Sequence, residues 1–150
     1  MGRPGPTGWG RIIGGVPARA AILALGACLA VAFGGCGASD READAAVVAE
    51  RFHAALEQGD DDAACAELNE VTASKLEQQE EMPCEEAVLE LELPLGGAAA
   101  ATEVYVTSAS VALAEGGTTF LDEGPEGWRV SVAGCTPTAP DLPYDCVLED

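Results

Sequence analysis

The chain has 150 residues, with 26 acidic against 7 basic side chains, one histidine and six cysteines. Every acidic residue lies after Cys36 and three of the basic ones lie before it, so the part beyond the first 35 residues carries a net charge of about −22. Such a surface repels phosphate backbones and anionic headgroups, which excludes nucleic acid as a partner and excludes a basic membrane-docking patch; the remaining roughly 110 residues suffice for one hydrophobic core and not two.

A basic opening, with Arg3, Arg11 and Arg19, runs into the apolar stretch Ala20 to Phe33, then Gly34-Gly35-Cys36-Gly37, and the sequence turns polar at Ser39. This layout predicts a secretory signal over residues 1–35. The apolar stretch suits a signal, and it is too short to cross a hydrocarbon core of about 30 Å, which needs about 20 apolar residues. The segment resembles the lipobox of bacterial lipoproteins, where a Leu-like residue and two small residues precede a cysteine that receives a diacylglycerol. Leu25-Gly26-Ala27-Cys28 has the usual residue types, but it leaves only Ala20 to Ala24 as the apolar region and exposes Leu29 to Phe33 at the new N-terminus. Phe33-Gly34-Gly35-Cys36 has Phe in place of Leu, with an apolar run of proper length before it and a polar segment directly after. Cys36 is therefore the expected lipidated residue, with Cys28 as the alternative and an uncleaved anchor, Cys36 being incidental, as the competing reading. The resemblance implies a protein held on the extracytoplasmic face of the cell membrane, because two acyl chains anchor durably where one binds only marginally. Residues 36–39 then serve as a short tether and 40–150 as a single domain.

Ser39-Asp40-Arg41-Glu42 predicts a capping box, with Ser39 as N-cap and Glu42 at the third helical position, opening a helix with Val48, Phe52, Ala55 and Leu56 on one face. Gly59 closes that helix as a left-handed cap. Asp60-Asp61-Asp62 supplies the cap and first turn of a short second helix, Ala63 to Leu68, because its dipole favours carboxylates there; the three aspartates are read as caps rather than ligands. A third helix is expected from about Thr72 to Glu80, and Pro83 suits the first turn of a fourth, through Val88 and Leu91. Leu93-Pro94-Leu95 and the run Gly96 to Ala101 break the helical pattern. Glu103 to Thr107 alternates through Val104 and Val106, and Ala109 to Ala114 through Val111 and Leu113; the parity change between them predicts a bulge or bend near Ser108. Glu115-Gly116-Gly117 predicts a hairpin into Thr118 to Asp122, and Glu123 to Gly127 another into Trp128 to Ala133, with Trp128, Val130 and Val132 sharing a core face. A proline-rich loop, Thr136 to Pro143, leads to Tyr144-Asp145-Cys146 and a last strand, Val147 to Glu149. Helices followed by an antiparallel meander predict an α+β fold.

With Cys28 in the signal and Cys36 lipidated, Cys65, Cys84, Cys135 and Cys146 remain, and four cysteines allow three pairings. The local pairing, Cys65 with Cys84 and Cys135 with Cys146, frames two modest loops and stitches helix to helix in the first half of the domain. Each bridge is worth about 3 kcal/mol by loop entropy. A zinc site is the rival explanation, but no cysteine pair has two-to-four-residue spacing and His53 is the only histidine, so no metal is expected.

The helical opening Phe52-His53-Ala54-Ala55-Leu56-Glu57-Gln58-Gly59-Asp60 and the hairpin ending Gly127-Trp128-Arg129-Val130 resemble the nuclear-transport-factor-like superfamily, the curved-sheet cone of ketosteroid isomerase and the SnoaL-like proteins. The resemblance covers about residues 40–150. Ala64 to Leu68, Pro83 to Ala87, Ala133 to Pro137 and Pro143 to Cys146 are similar to segments of small secreted actinobacterial members. The superfamily implies a cystatin-like cone of helices on a curved antiparallel sheet; it includes enzymes, ligand binders and interaction modules, so the fold alone chooses no activity.

His53 is the one side chain whose ordinary pKa suits proton transfer near neutrality, and it falls at the edge of the apolar stripe, where a boundary histidine is the plainer reading. No Gly-x-Ser-x-Gly and no phosphate-binding glycine loop occurs. Isomerase chemistry needs a carboxylate inside the cone facing a hydrogen-bond donor; Glu103, Asp122, Tyr105 and Tyr144 have the right types, but the two carboxylates sit at strand ends that read as solvent-facing. Tyr105, Phe120 and Trp128 offer a pocket lining or plain core. The expectation is a domain with no catalytic residues and no cofactor, recognising an envelope protein or a small apolar ligand; the alternative is a small-molecule isomerase or hydratase of the cone fold.

Overall fold

In a computed structural model of the protein, the described residues are 2, 36–94, 96–139 and 143–149. Residues assigned above to the signal, with the alternative cysteine Cys28, lie outside them apart from Gly2. Among these described residues four helices come first, α1 (Cys36–Gln58), α2 (Asp61–Glu67), α3 (Glu70–Glu80) and α4 (Cys84–Glu90), and the strands follow: β1 (Ala99–Tyr105), β2 (Ser108–Leu113), β3 (Thr118–Gly124), β4 (Gly127–Pro137) and β5 (Tyr144–Asp145). The strands form one antiparallel sheet in the order β1-β2-β3-β4-β5, with helices packed on it, as the α+β order predicts. None of the helices among the described residues is long and apolar enough to cross a membrane.

Side chains at helical spacing hold α1 to the sheet: Ala45, Val48, Ala49, Phe52 and Ala55 are buried. The helix begins at Cys36, so Ser39 lies inside it and does not act as its N-cap. Extending a formed helix by one residue is far easier than nucleating one, and Gly37 to Asp40 are exposed, so no packing conflict stops the helix from running on through Ala38. At its other end Gly59 takes φ +68°, and the amide of Asp60 reaches back to the Ala55 carbonyl at 2.9 Å, a Schellman closure. The carboxylate of Asp60 then accepts from the Ala63 amide at 3.1 Å and starts α2. One aspartate thus ends one helix and begins the next. Asn69 caps α3 by accepting from the Thr72 amide at 2.7 Å, so that helix starts at Glu70, two residues before the expected Thr72. Pro83 occupies the N-cap of α4 rather than its first turn.

The parity change near Ser108 marks a chain reversal, not a bend in one strand. Tyr105 pairs with Ser108 across a two-residue turn, Val106-Thr107, so β1 and β2 are neighbours in a hairpin. Val106 sits at φ +50°, a region that β-branched residues rarely enter, which is why its sequence gives no turn signal. The Ala114–Gly117 and Pro125-Glu126 connections fall where their glycines predict, with Gly116, Gly117 and Gly127 at positive φ.

Val132 also departs from expectation. Leu121 pairs with Val130 but Phe120 pairs with Val132, leaving Ser131 as an inserted residue. The bulge flips the alternation, so Trp128 and Val130 face the core, Val132 turns to the other face and is half-buried, and Ala133 and Cys135 are buried. The hydroxyl of Thr72 donates to the Ser131 carbonyl at 2.9 Å and the Asn69 amide donates to the Val130 carbonyl at 2.9 Å, tying the start of α3 to the bulge.

Both local disulfides are formed. Cys65–Cys84 joins α2 to α4, and Cys135–Cys146 joins β4 to the C-terminal segment. There Leu148, buried, exchanges two backbone hydrogen bonds with Ala133, of 3.0 and 3.1 Å. That short bridge stands in place of the expected last strand.

Candidate functional site

His53 is buried at 3 % exposure between α1 and the sheet, deeper than a boundary position. Its Nε2 and the Thr119 hydroxyl, also fully buried on β3, share a hydrogen bond of 2.9 Å. Its ring meets Phe52 edge-on with centroids 5.2 Å apart. Gly96 closes over the ring's other side, so near that a methyl group there would lie 2.4 Å from the imidazole Cγ. Burial pushes the His53 pKa down, and the Glu57 carboxylate opposes it more weakly. The imidazole is therefore held neutral with one ring nitrogen committed to Thr119.

Two small cavities flank this histidine. One, of about 140 Å³, is walled by Leu56, Val88, Leu91, Leu93 and Pro94 beside His53 and Glu57. The other, of about 230 Å³, lies among Glu50, Ala54, Gly97 and Ala98. Glu50 is occupied there, accepting from the Ala99 amide at 2.7 Å.

None of the carboxylates and phenols considered from sequence joins His53. Asp122 accepts from the Ser108 hydroxyl at 2.9 Å, and Glu103 accepts from the Tyr105 phenol. Both alternate with inward residues, Asp122 following buried Leu121 and Glu103 lying between Thr102 and Val104, so they occupy the sheet face away from the helices. Tyr105 is exposed at the β1–β2 turn, and its pKa is raised by the hydrogen bond to Glu103 and by that carboxylate's charge. Phe120 meets the exposed Tyr144 edge-on at 5.2 Å on the outer face, whereas Trp128 is buried in the core. The three aromatic residues therefore line no common pocket. Asp60, Asp61 and Asp62 serve as cap and first turn of α2, and no group of three or more possible metal ligands occurs among the described residues.

A larger groove, of about 420 Å³, runs between the start of α3 and the β3–β4 turn, past Asn69, Glu70, Asp122, Glu126 and Arg129. Glu123, which also lines it, is held by the residue that sequence reasoning missed. Arg41 donates through Nη2 to both Glu123 and the Val106 carbonyl, and its guanidinium lies 5.3 Å from the centre of the Trp128 ring. Its signal was scarcity: only four basic residues follow Cys36, and Arg51 is likewise engaged, in a two-pronged pair with Glu67 at 2.8 Å.

The buried histidine makes stability depend on pH. The unfolded chain protonates it near the ordinary value of about 6.5, the folded chain only at lower pH. Above 6.5 the residue is neutral in both states and contributes no slope. Below it the unfolded state binds more protons, so stability falls with falling pH until the folded pKa is reached. Denaturant titrations between pH 7.5 and 5 should show this loss in the native chain and show it diminished in His53→Gln; equal slopes in the two would refute it.

Compared with protein-family models, with curated proteins and with solved structures, the chain matches none.

Proposed function

We propose that this chain is an exported lipoprotein whose Cys36 carries the lipid and whose domain, resembling the nuclear-transport-factor-like cone, acts by recognition at the extracytoplasmic face of the cell membrane without chemistry of its own. The observation that carries the reading is the coincidence of two disulfides with a sequence whose apolar leader ends at Cys36. Disulfides persist in oxidising compartments, and the leader supplies a route there. The cavities favour a surface role over a ligand pocket: the two beside His53, of about 140 and 230 Å³, fall below the range of about 300 to 1,000 Å³ usual for small-molecule sites, and the groove of about 420 Å³ is lined by Glu70, Asp122, Glu123 and Glu126, carboxylates unsuited to a small apolar ligand. An envelope protein is accordingly preferred as partner to a small apolar ligand. The isomerase or hydratase alternative is weaker, since Asp122 and Glu103 lie on the outer face and His53 is committed to Thr119.

Cys36→Ser should abolish acyl labelling and leave an unprocessed precursor, whereas Cys28→Ser should leave both labelling and processing intact. Labelling that survives Cys36→Ser and disappears with Cys28→Ser would move the anchor to Cys28.

A further inference from the structure

The β1–β2 turn combines two features that rarely occur together. Val106 is 85 % exposed, the most exposed large hydrophobic side chain among the described residues, and Tyr105 beside it is 61 % exposed. The same valine holds φ +50°, a conformation in which glycine or asparagine is expected. The turn is nevertheless fixed from both sides. Arg41 donates to the Val106 carbonyl, and the Glu123 amide donates to the Thr107 carbonyl at 2.8 Å. A rigid, strained tip that displays an aromatic and an aliphatic side chain to solvent points to a contact surface.

The position of Arg41 says which surface. It lies in the first turns of α1, about 7.5 Å of helical rise from Cys36, so the tip stands beside the N-terminal end of the helix on which the anchor sits. The geometry points to the Tyr105-Val106 tip as a second membrane contact, resting in the headgroup region next to the lipidated Cys36. This rests on the lipid-anchor reading and gives it an orientation: the α1 start and the β1–β2 turn face the bilayer, and the β4–β5 end, about 30 Å away along β4, faces outward. Tyrosine suits that depth because its ring is apolar and its hydroxyl stays hydrated. Of the acidic groups around the tip, Glu103, Asp122 and Glu123 are engaged within the domain, by the Tyr105 phenol, by Ser108 and by Arg41, whereas Asp40, Asp44 and Glu126 are exposed and stay hydrated at headgroup level. The bilayer it fits is zwitterionic, because the domain's net negative charge repels anionic headgroups.

The test uses the full chain, expressed in a bacterium that processes lipoproteins, purified with its acyl groups and reconstituted in phosphatidylcholine vesicles. Beyond Cys36 the chain has one tryptophan, Trp128, which is buried and serves as a constant background. Tyr105→Trp and Tyr144→Trp are compared in vesicles whose acyl chains are brominated near the headgroup, with the mass of the N-terminal peptide read from the same samples. The expected result is an acylated Cys36, about twofold quenching of the added emission in Tyr105→Trp, and none in Tyr144→Trp. Val106→Asn in the Tyr105→Trp background should weaken the quenching, and asparagine tolerates the turn's backbone, so folding is preserved. Acylated protein with no quenching at position 105, or with equal quenching at 144, overturns the tip contact and leaves the anchor standing. Absence of acyl groups at Cys36 overturns both. A photocrosslinker at position 105 that captures a protein rather than lipid assigns the tip to a protein partner and also overturns the bilayer contact.

Discussion

Replacing Gly96 with alanine is expected to destabilise the domain by about 3 kcal/mol, combining overpacking with a broken buried hydrogen bond. The added methyl would lie 2.4, 2.6 and 2.7 Å from His53 Cγ, Cβ and Nδ1, distances at which one side must move. The histidine is poorly placed to yield. Its backbone lies within α1, more than a turn from the helix end and next to Phe52, which is completely buried, and its ring is fixed at one end by Thr119. Turning the ring away breaks the hydrogen bond of the fully buried Thr119 hydroxyl. The measurement is the denaturant midpoint at unchanged slope, followed by a double-mutant cycle with His53→Ala. His53→Ala removes the Cγ and Nδ1 overlaps and leaves only that with Cβ, which a small shift of the chain at residue 96 can relieve, so the alanine should then cost clearly less, and the coupling should exceed about 1 kcal/mol. Strict additivity would mean that the methyl group is accommodated by a shift of the chain around residue 96, and the rigid wall argued here would be wrong.

How far this arrangement was legible in the sequence depends on whether the deciding interaction is local. Gly59, Asp60, the Glu115-Gly116-Gly117 turn and the two disulfide loops were legible because each is settled within about twenty residues, by a backbone conformation only glycine takes easily, by a carboxylate at a helix start, or by short loop closure. The misreadings come from contacts far along the chain. Val106-Thr107 has no turn residues, and what holds it is Arg41, 65 positions earlier, together with the amide of Glu123. Val132 leaves the core because the bulge at Ser131 is secured by Thr72, 59 positions away. His53 reads as a boundary residue on a helical wheel, since its burial is completed by Thr119 on β3 and by Gly96 in the loop before β1. Ser39 is a different case, a local signal that lost because the helix had no reason to stop there. The candidate carboxylates, by contrast, read as solvent-side from their places at strand ends, and the alternation of β1 and β3 puts both on the outer face.

Loss of both disulfides should lower the melting temperature by at most about 25 °C, because each closes a loop worth about 3 kcal/mol and a domain of this size is held by only about 5 to 15 kcal/mol. The two loops, with sequence separations of 19 and 11, predict similar entropy terms, but they constrain different parts of the fold. Cys84 is buried between α2 and the rest of the helical layer, so replacing Cys65 and Cys84 with alanine should reduce global stability, seen as a lower unfolding midpoint by circular dichroism. Cys146 instead secures a short C-terminal segment whose described hold on β4 is the Tyr144–Asp145 pairing, the Leu148 side chain and its two hydrogen bonds to Ala133. Without Cys135–Cys146 that segment can detach while the helices and β1 to β4 stay folded, as local openings do when few buried contacts hold an element. The amides of Ala133 and Leu148 should then exchange with solvent much faster than those of β2 and β3, and the main unfolding transition should move less than in the helical double variant. Equal exchange at Ala133 and in β2, with both variants melting at the same temperature, would show instead that the C-terminal segment folds and unfolds with the whole domain.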